Sequence, residues 1–184
     1  MRAFVALEIG NAGVIDSLVE AQKRLAGTGA DLKLVERENL HFTVRFLGEI
    51  SARDAAEVDS RLKALSLAGG DAQVSGIGAF PNVARPRVLW SGVAPPGDAL
   101  VTSIARSVQE SLAGIGLPEE GVFRPHVTIA RVRSARNSER LATVLRSSAS
   151  SPFGTATLSS LKLKSSVLTP AGPVYTDLGA YPLA

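Results

Sequence analysis

The chain has no cysteine, only two histidines and one tryptophan, and aromatic residues fill just 5% of its 184 positions. The first absence excludes disulfides, thiolate nucleophiles and cysteine-ligated zinc. It fits a reducing compartment, and a cytoplasmic location is the expectation. No apolar run approaches the roughly 20 residues that span a bilayer, so no membrane association is expected. The opening MRAFVALEIG leads into an amphipathic stretch, with neither an h-region nor a small-residue cleavage site, and no signal peptide is expected. An excess of one charge is lacking too: 20 Lys and Arg face 17 Asp and Glu, a formal charge of +3 with a pI of about 9.6. That balance permits an anionic ligand but is not that of a polybasic binder.

What is present is ordinary globular composition, 45% hydrophobic and 20% charged. The length allows one domain, or two closely packed lobes of about 90 residues, with a core that needs no staples. The two histidines stand in similar runs. One is Leu40-His41-Phe42-Thr43-Val44-Arg45-Phe46-Leu47 and the other Arg124-Pro125-His126-Val127-Thr128-Ile129-Ala130-Arg131. Each puts a Thr two residues after a His within an alternating, strand-like pattern. Residues i and i+2 of a strand share a face, so His41 projects with Thr43 and His126 with Thr128, while Phe42, Val44, Val127 and Ile129 point toward a core. Thr occurs nine times. The chance that both histidines carry one at i+2 is about 1 in 400, so the duplication is informative where a single H-x-T is not.

Hydrophobic periodicity supplies the frame. Strands are predicted at 2–9, 31–35, 40–47, 73–79, 86–93, 122–132, 157–167 and 173–179. Helices are predicted at 11–26, 53–65, 100–113 and from Asn137 or Ser138 to 146. Ser51 and Asp54 form a capping-box-like start to the second helix. Residues 68–71 read as a turn, 114–121 as a loop, and the Ser-rich 147–154 as a mobile loop. The order H-x-T strand, turn, helix, strand thus occurs twice, 85 residues apart. It predicts an α+β fold of two pseudo-symmetric halves, with antiparallel sheets flanking a central cleft, over a single bilobal domain of residues 1–184.

Two histidines can hold one protonated and one neutral ring near neutral pH, as in-line displacement at phosphorus requires. Two Thr hydroxyls beside them can donate to the non-bridging oxygens where charge builds up. No acidic cluster accompanies the motifs, so neither a two-metal mechanism nor a histidine metal site is expected. Cationic help then falls to Arg. Arg45 shares the His41 face by parity and Arg124 the His126 face, each as readily a solvated arginine as a phosphate contact. Arg131 falls on the core side by strict parity, and reaches the cleft only if the strand twists or bulges. Trp90 and Phe80 read as core. The run Arg131, Arg133, Arg136, Arg140 reads as a solvated face, with an RNA-backbone patch as the alternative.

These residues bring a family into view. The opening Met1 to Leu7, the block Asn39 to Glu49, Phe80-Pro81 with Arg87-Val88-Leu89-Trp90, the block Phe123 to Arg131, and a tail of Leu161 to Ser165, Gly172 and Tyr175 resemble the bacterial and archaeal 2′–5′ RNA ligase, or RNA 2′,3′-cyclic phosphodiesterase, family of the two-histidine phosphoesterase superfamily. The resemblance implies a bilobal α+β fold with a central cleft. It implies His41 as proton donor, His126 as proton acceptor, and Thr43, Thr128 and Arg131 as phosphate-binding residues. It further implies hydrolysis of an RNA terminal 2′,3′-cyclic phosphate to a 2′-phosphate, with ATP-independent 2′–5′ joining when an RNA 5′-hydroxyl replaces water. No metal or other cofactor is expected, and a monomer is. The alternatives are a phosphodiesterase for another small cyclic phosphate or 2′–5′ oligonucleotide, and a non-catalytic RNA-end-binding protein.

Overall fold

Alternating burial makes strands of both H-x-T runs, and these two strands lie side by side at the middle of one antiparallel sheet. In the computed structural model, which describes every residue except Glu119, the elements are β1 (Arg2–Leu7), α1 (Ala12–Ala26), β2 (Leu32–Leu34), a 3-10 turn (Arg37–Asn39), β3 (Phe42–Glu49), α2 (Ala52–Lys63), β4 (Gly70–Phe80) and β5 (Val88–Val93). There follow α3 (Gly97–Ser111), β6 (Val127–Val132), α4 (Ser138–Ser147), β7 (Pro152–Leu158), β8 (Ser160–Thr169) and β9 (Gly172–Pro182). The loop expected over 114–121 is present in its described part; Glu119 lies outside the described residues. The sheet runs β7-β4-β5-β6-β3-β1-β8-β9, with β2 also pairing with β6. The α+β class and its antiparallel pairing are as expected.

The path is symmetric about its centre. β3-β1-β8-β9 on one side answers β6-β5-β4-β7 on the other, and a single pair, Phe42 opposite Val127, joins them. Those two residues are equivalent under the 85-residue offset, so the joint sits on the pseudo-dyad. The registers repeat as well. Thr43 and Arg45 face Ala6 and Val5 of β1, skipping Val44, just as Thr128 and Ala130 face Trp90 and Leu89 of β5, skipping Ile129. Each motif strand therefore carries a β-bulge at the same place, one residue beyond its Thr.

Helices cover the far face of the sheet. α1 packs on β6, β7 and α4, crossing to the half that its preceding strand does not belong to, while α3 packs on β3, β4 and α2 and so bridges both halves. Phe42, Val44 and Leu47 from β3 join Val127, Ile129 and Ala130 from β6 in one cluster of buried side chains, with Leu18, Val58, Ile104 and Leu141 from the four helices. The predicted capping box is present: Asp54 N donates to Ser51 Oγ at 3.1 Å, and Ser51 N to Asp54 Oδ2 at 3.0 Å.

Two expectations need correction. Residues 152–154 are not loop: they begin β7, which pairs with β4 along the sheet edge, and the strand predicted over 157–167 divides into β7 and β8. A register shift opposite Gly154, at φ +109°, breaks the alternation that marks a strand, and Ser and Thr dominate the solvent side of this edge. Residues 122–126 are not strand, so each histidine stands one residue before its strand begins.

Phe42 is fully buried at the joint. Phe42→Ala is expected to cost about 3–5 kcal/mol in urea unfolding, by lost burial and the cavity left behind. Val122→Ala, at a position 92% exposed, is expected to change stability by less than about 0.5 kcal/mol.

Candidate active site

The Phe42–Val127 pair lies between the two motifs and sets their mutual register. Antiparallel pairing there places His41 across from Thr128, and Thr43 across from His126. Since Phe42 and Val127 turn into the core, all four motif side chains face the opposite way and line one cleft of about 640 Å³. That size suits a nucleotide-sized ligand.

Arg131 lines the same cleft. The bulge at Ile129 reverses parity, so Ile129 and Ala130 are both buried and Arg131 emerges beside His126 and Thr128. The equivalent bulge at Val44 has the opposite effect on Arg45. That side chain is turned away from the His41 face and buried, where Nη2 donates to the Pro118 carbonyl and Nη1 lies 3.9 Å from Glu120. Arg45 is thus neither solvated nor part of the cleft lining; Phe46 takes the cleft position equivalent to Arg131. The exposed Arg124 contributes its backbone instead, since its carbonyl receives the Nδ1 hydrogen bond of His126 at 2.6 Å.

This last contact fixes a tautomer. A carbonyl oxygen has no proton to give, so Nδ1 of His126 carries the hydrogen and the neutral ring presents the Nε2 lone pair. Phe80 meets this ring edge-on at 5.0 Å and Trp90 at 6.5 Å. Burial holds the His126 pKa below the ordinary imidazole value, and the bond to the Arg124 carbonyl works against that lowering. Both Phe80 and Trp90 are half-buried and stand outside the core cluster, which corrects the core reading. Trp90 sits between Gly78 and Thr128 in register, and its indole fills the space that a Cβ at Gly78 would need.

His41 has a drier setting. It is 8% exposed, stacked on Phe4 at 5.3 Å and 20°, with Tyr175 at 5.9 Å, and its Nδ1 has no protein partner among the described residues. Burial, helped by the nearby charge of Lys164, lowers its pKa to about 4, and Asp177 opposes the shift. Sequence reasoning did not single out Phe4, Tyr175, Lys33 or Phe46 as cleft residues. For Lys33 a signal lay in β2, whose pairing sets it opposite Arg131, but that pairing joins residues about 100 positions apart.

The fold and the paired motifs together define a two-histidine phosphoesterase architecture. A family model described as LigT like Phosphoesterase matches the chain twice, over residues 9–90 and 93–175, one match for each H-x-T half. An RNA 2′,3′-cyclic phosphodiesterase of Aeropyrum pernix is 39% identical over 90% of this chain and 94% of its own length. One from Archaeoglobus fulgidus is 36% identical over 98% and 99%. The crystal structure of TT0787 of Thermus thermophilus superposes with a TM-score of 0.78 at 30% identity, covering 100% of this chain and 98% of that one. The chain belongs to the LigT-like phosphoesterase family.

The buried, uncharged His41 has a consequence for stability. Its folded pKa lies below that of the unfolded chain, so as pH falls below about 6.5 the unfolded state takes up the proton first and stability is lost, down to about pH 4. Above 6.5 the ring is neutral in both states and contributes no slope. In urea unfolding between pH 6.5 and 5, His41→Asn is expected to remove up to about 1.4 kcal/mol per pH unit of that dependence.

Proposed function

We propose that the chain hydrolyses RNA ending in a 2′,3′-cyclic phosphate to a 2′-phosphate, without a metal, by general acid–base catalysis between His41 and His126. The supporting observation is the pairing of each histidine across the strand joint with the other motif's threonine, which turns two rings and two hydroxyls into one cleft. His126, with Nδ1 held by a carbonyl, has Nε2 free to take a proton from water as that water attacks phosphorus. The P–O3′ bond breaks on the opposite side, and protonated His41 gives its proton to O3′. Thr43, Thr128 and Arg131 stabilise the charge on the non-bridging oxygens. An RNA 5′-hydroxyl in place of water gives a 2′–5′ linkage by the same bond changes.

The proposed reaction routes no step through a metal. Among the described residues no group of three or more His, Cys, Asp and Glu is placed to hold an ion. The relatives named for the RNA 2′,3′-cyclic phosphodiesterase reaction support the substrate class. Phe46, 59% exposed, adds an aromatic face suited to a nucleobase at the position that mirrors Arg131.

Cleavage of a cyclic-phosphate-ended oligonucleotide in EDTA, with the product read by phosphorus NMR, tests the reading. His41→Ala and His126→Ala are each expected to lower kcat by about 10²–10⁴-fold. Full activity in either variant, or a rate abolished by EDTA and restored by a divalent ion, would overturn it. Thr43→Val and Thr128→Val keep the branched shape and remove the donor, and each is expected to lower single-turnover rate by roughly 10–10³-fold with little change in binding. Weakened binding with no turnover to lose would identify an RNA-end-binding protein instead.

A further inference from the structure

The mechanism uses one of the cleft's free cations and leaves another without a task. Arg131, Lys33 and Arg2 all line the cleft. Lys33 lies 3.0 Å from Glu36 and donates to the Ala171 carbonyl at 3.2 Å, so its charge is already matched. Arg131 serves the cyclic phosphate in the proposed reaction. Arg2 is exposed, and no carboxylate among the described residues pairs with it. Glu49, opposite Arg2 on β3, lies 3.2 Å from the Met1 ammonium instead. The position of Arg2 along β1 gives its charge a meaning. β1 keeps an unbroken register with β8, Arg2 opposite Ser166 and Phe4 opposite Lys164, so Arg2 and Phe4 share one face. His41 stacks on Phe4, and the partner of Phe4 on β3 is Phe46. Outward from the motifs the cleft thus presents His41 and Thr43, then the aromatic pair Phe4 and Phe46, then Arg2 with Ser166.

We propose that Arg2, with the Ser166 hydroxyl opposite it, forms a second anion site that binds the phosphodiester on the 5′ side of the terminal nucleotide. The preferred substrate is then an RNA end rather than a free nucleoside cyclic phosphate. This rests on the reading that the two motifs take the cyclic phosphate. An RNA end has the same order as the cleft: cyclic phosphate, nucleoside, then the diester that joins the 5′ oxygen to the rest of the chain. Arg2 stands two strand rises, about 7 Å, beyond Phe4, a separation that one nucleotide spans once the long arginine side chain is extended. The charges agree as well. A free nucleoside cyclic phosphate brings one negative charge into the cleft, whereas an RNA end brings two, and two guanidiniums wait there without a carboxylate partner among the described residues. A guanidinium fork meets two phosphate oxygens at once. Gly48 lines the same end of the cleft, and a Cβ there would meet nothing within 4 Å, so the rest of the chain has room to leave.

Adenosine 2′,3′-cyclic phosphate and its 5′-(methyl phosphate) derivative differ only by the group that Arg2 would hold, and the methyl diester carries the single charge of an RNA linkage. In the wild type the 5′ diester is expected to raise kcat/KM by about 10-fold or more at low salt, and by less at high salt. In Arg2→Gln the ratio of the two substrates is expected to fall close to one. Arg2→Lys, which keeps the charge and loses the fork, is expected to lie between. Calorimetric binding of adenosine 2′-phosphate, with and without the same 5′ diester, makes the comparison without turnover. A wild-type ratio near one would overturn the proposal. So would a ratio that Arg2→Gln leaves unchanged, including through an equal loss on both ligands, since a contact to the cyclic phosphate or a loosened fold would act on both alike. If neither cyclic phosphate is turned over while the binding ratio behaves as expected, the proposed reaction is refuted and the second anion site stands.

Discussion

One backbone pair, Phe42 opposite Val127, fixes the geometry on which everything else in this molecule depends. Each member directly follows a histidine and directly precedes a threonine. Holding those two residues opposite one another therefore sets all four site side chains at once. A slip of one residue would send the histidines into the core and the phenylalanine into solvent, because strand faces alternate with period two. The full burial of Phe42 and Val127 opposes that slip. Fully burying such an apolar side chain is worth about 1.5–3 kcal/mol, so the register is held by packing rather than by the joint's few hydrogen bonds. Beyond the joint the central strands have other partners: β1 beside β3, and β2 and β5 beside β6. The strands consequently separate, and the space between them is the cleft.

Symmetry ends one residue past each threonine, where the same bulge serves two purposes. In β6 it brings Arg131 into the cleft; in β3 it removes Arg45 and presents Phe46. A backbone device shared by both halves thus yields a cation on one side of the site and an aromatic face on the other. That asymmetry fits the proposed substrate, which carries an anionic phosphate beside a flat base. A perfectly symmetric cleft would offer the same chemistry to both ends of the ligand. Arg45 is not idle in its new place, since it ties β3 to the loop at Pro118 and Glu120.

The motif quartet was legible because it depends only on local alternation. His41 and Thr43, or His126 and Thr128, are two positions apart, and no bulge falls between them. The same parity reasoning failed for Arg45 immediately afterward, since a bulge inserts one residue without leaving a compositional mark. Arg131 was reached through family resemblance, and its physical route into the cleft is visible only in the register. The helices and the Ser51 cap were legible from spacing. The edge strand β7 was not, because Gly154 breaks its alternation and one side faces solvent. Arg2 stands on β1 and Ser166 on β8. The pairing of β1 with β8 that gathers them joins opposite ends of the chain and has no local signature.

In the proposed reaction two copies of one motif take opposite roles, and their neighbours differ accordingly. His126 stands near Phe80 and Trp90 with a carbonyl on Nδ1, so its orientation and tautomer are settled before any ligand arrives. That suits a base, which must present a lone pair. His41 is packed between Phe4 and Tyr175 with a cation nearby and no acceptor on Nδ1 among the described residues. In a site of low effective dielectric, the attraction between an imidazolium and a phosphate oxygen is several-fold stronger than in water. An anion entering the cleft therefore changes the preferred charge of His41 far more than it would on an exposed ring. In the proposed reaction, the dry setting that disfavours a charged ring is also the setting that strengthens its pairing with a phosphate oxygen.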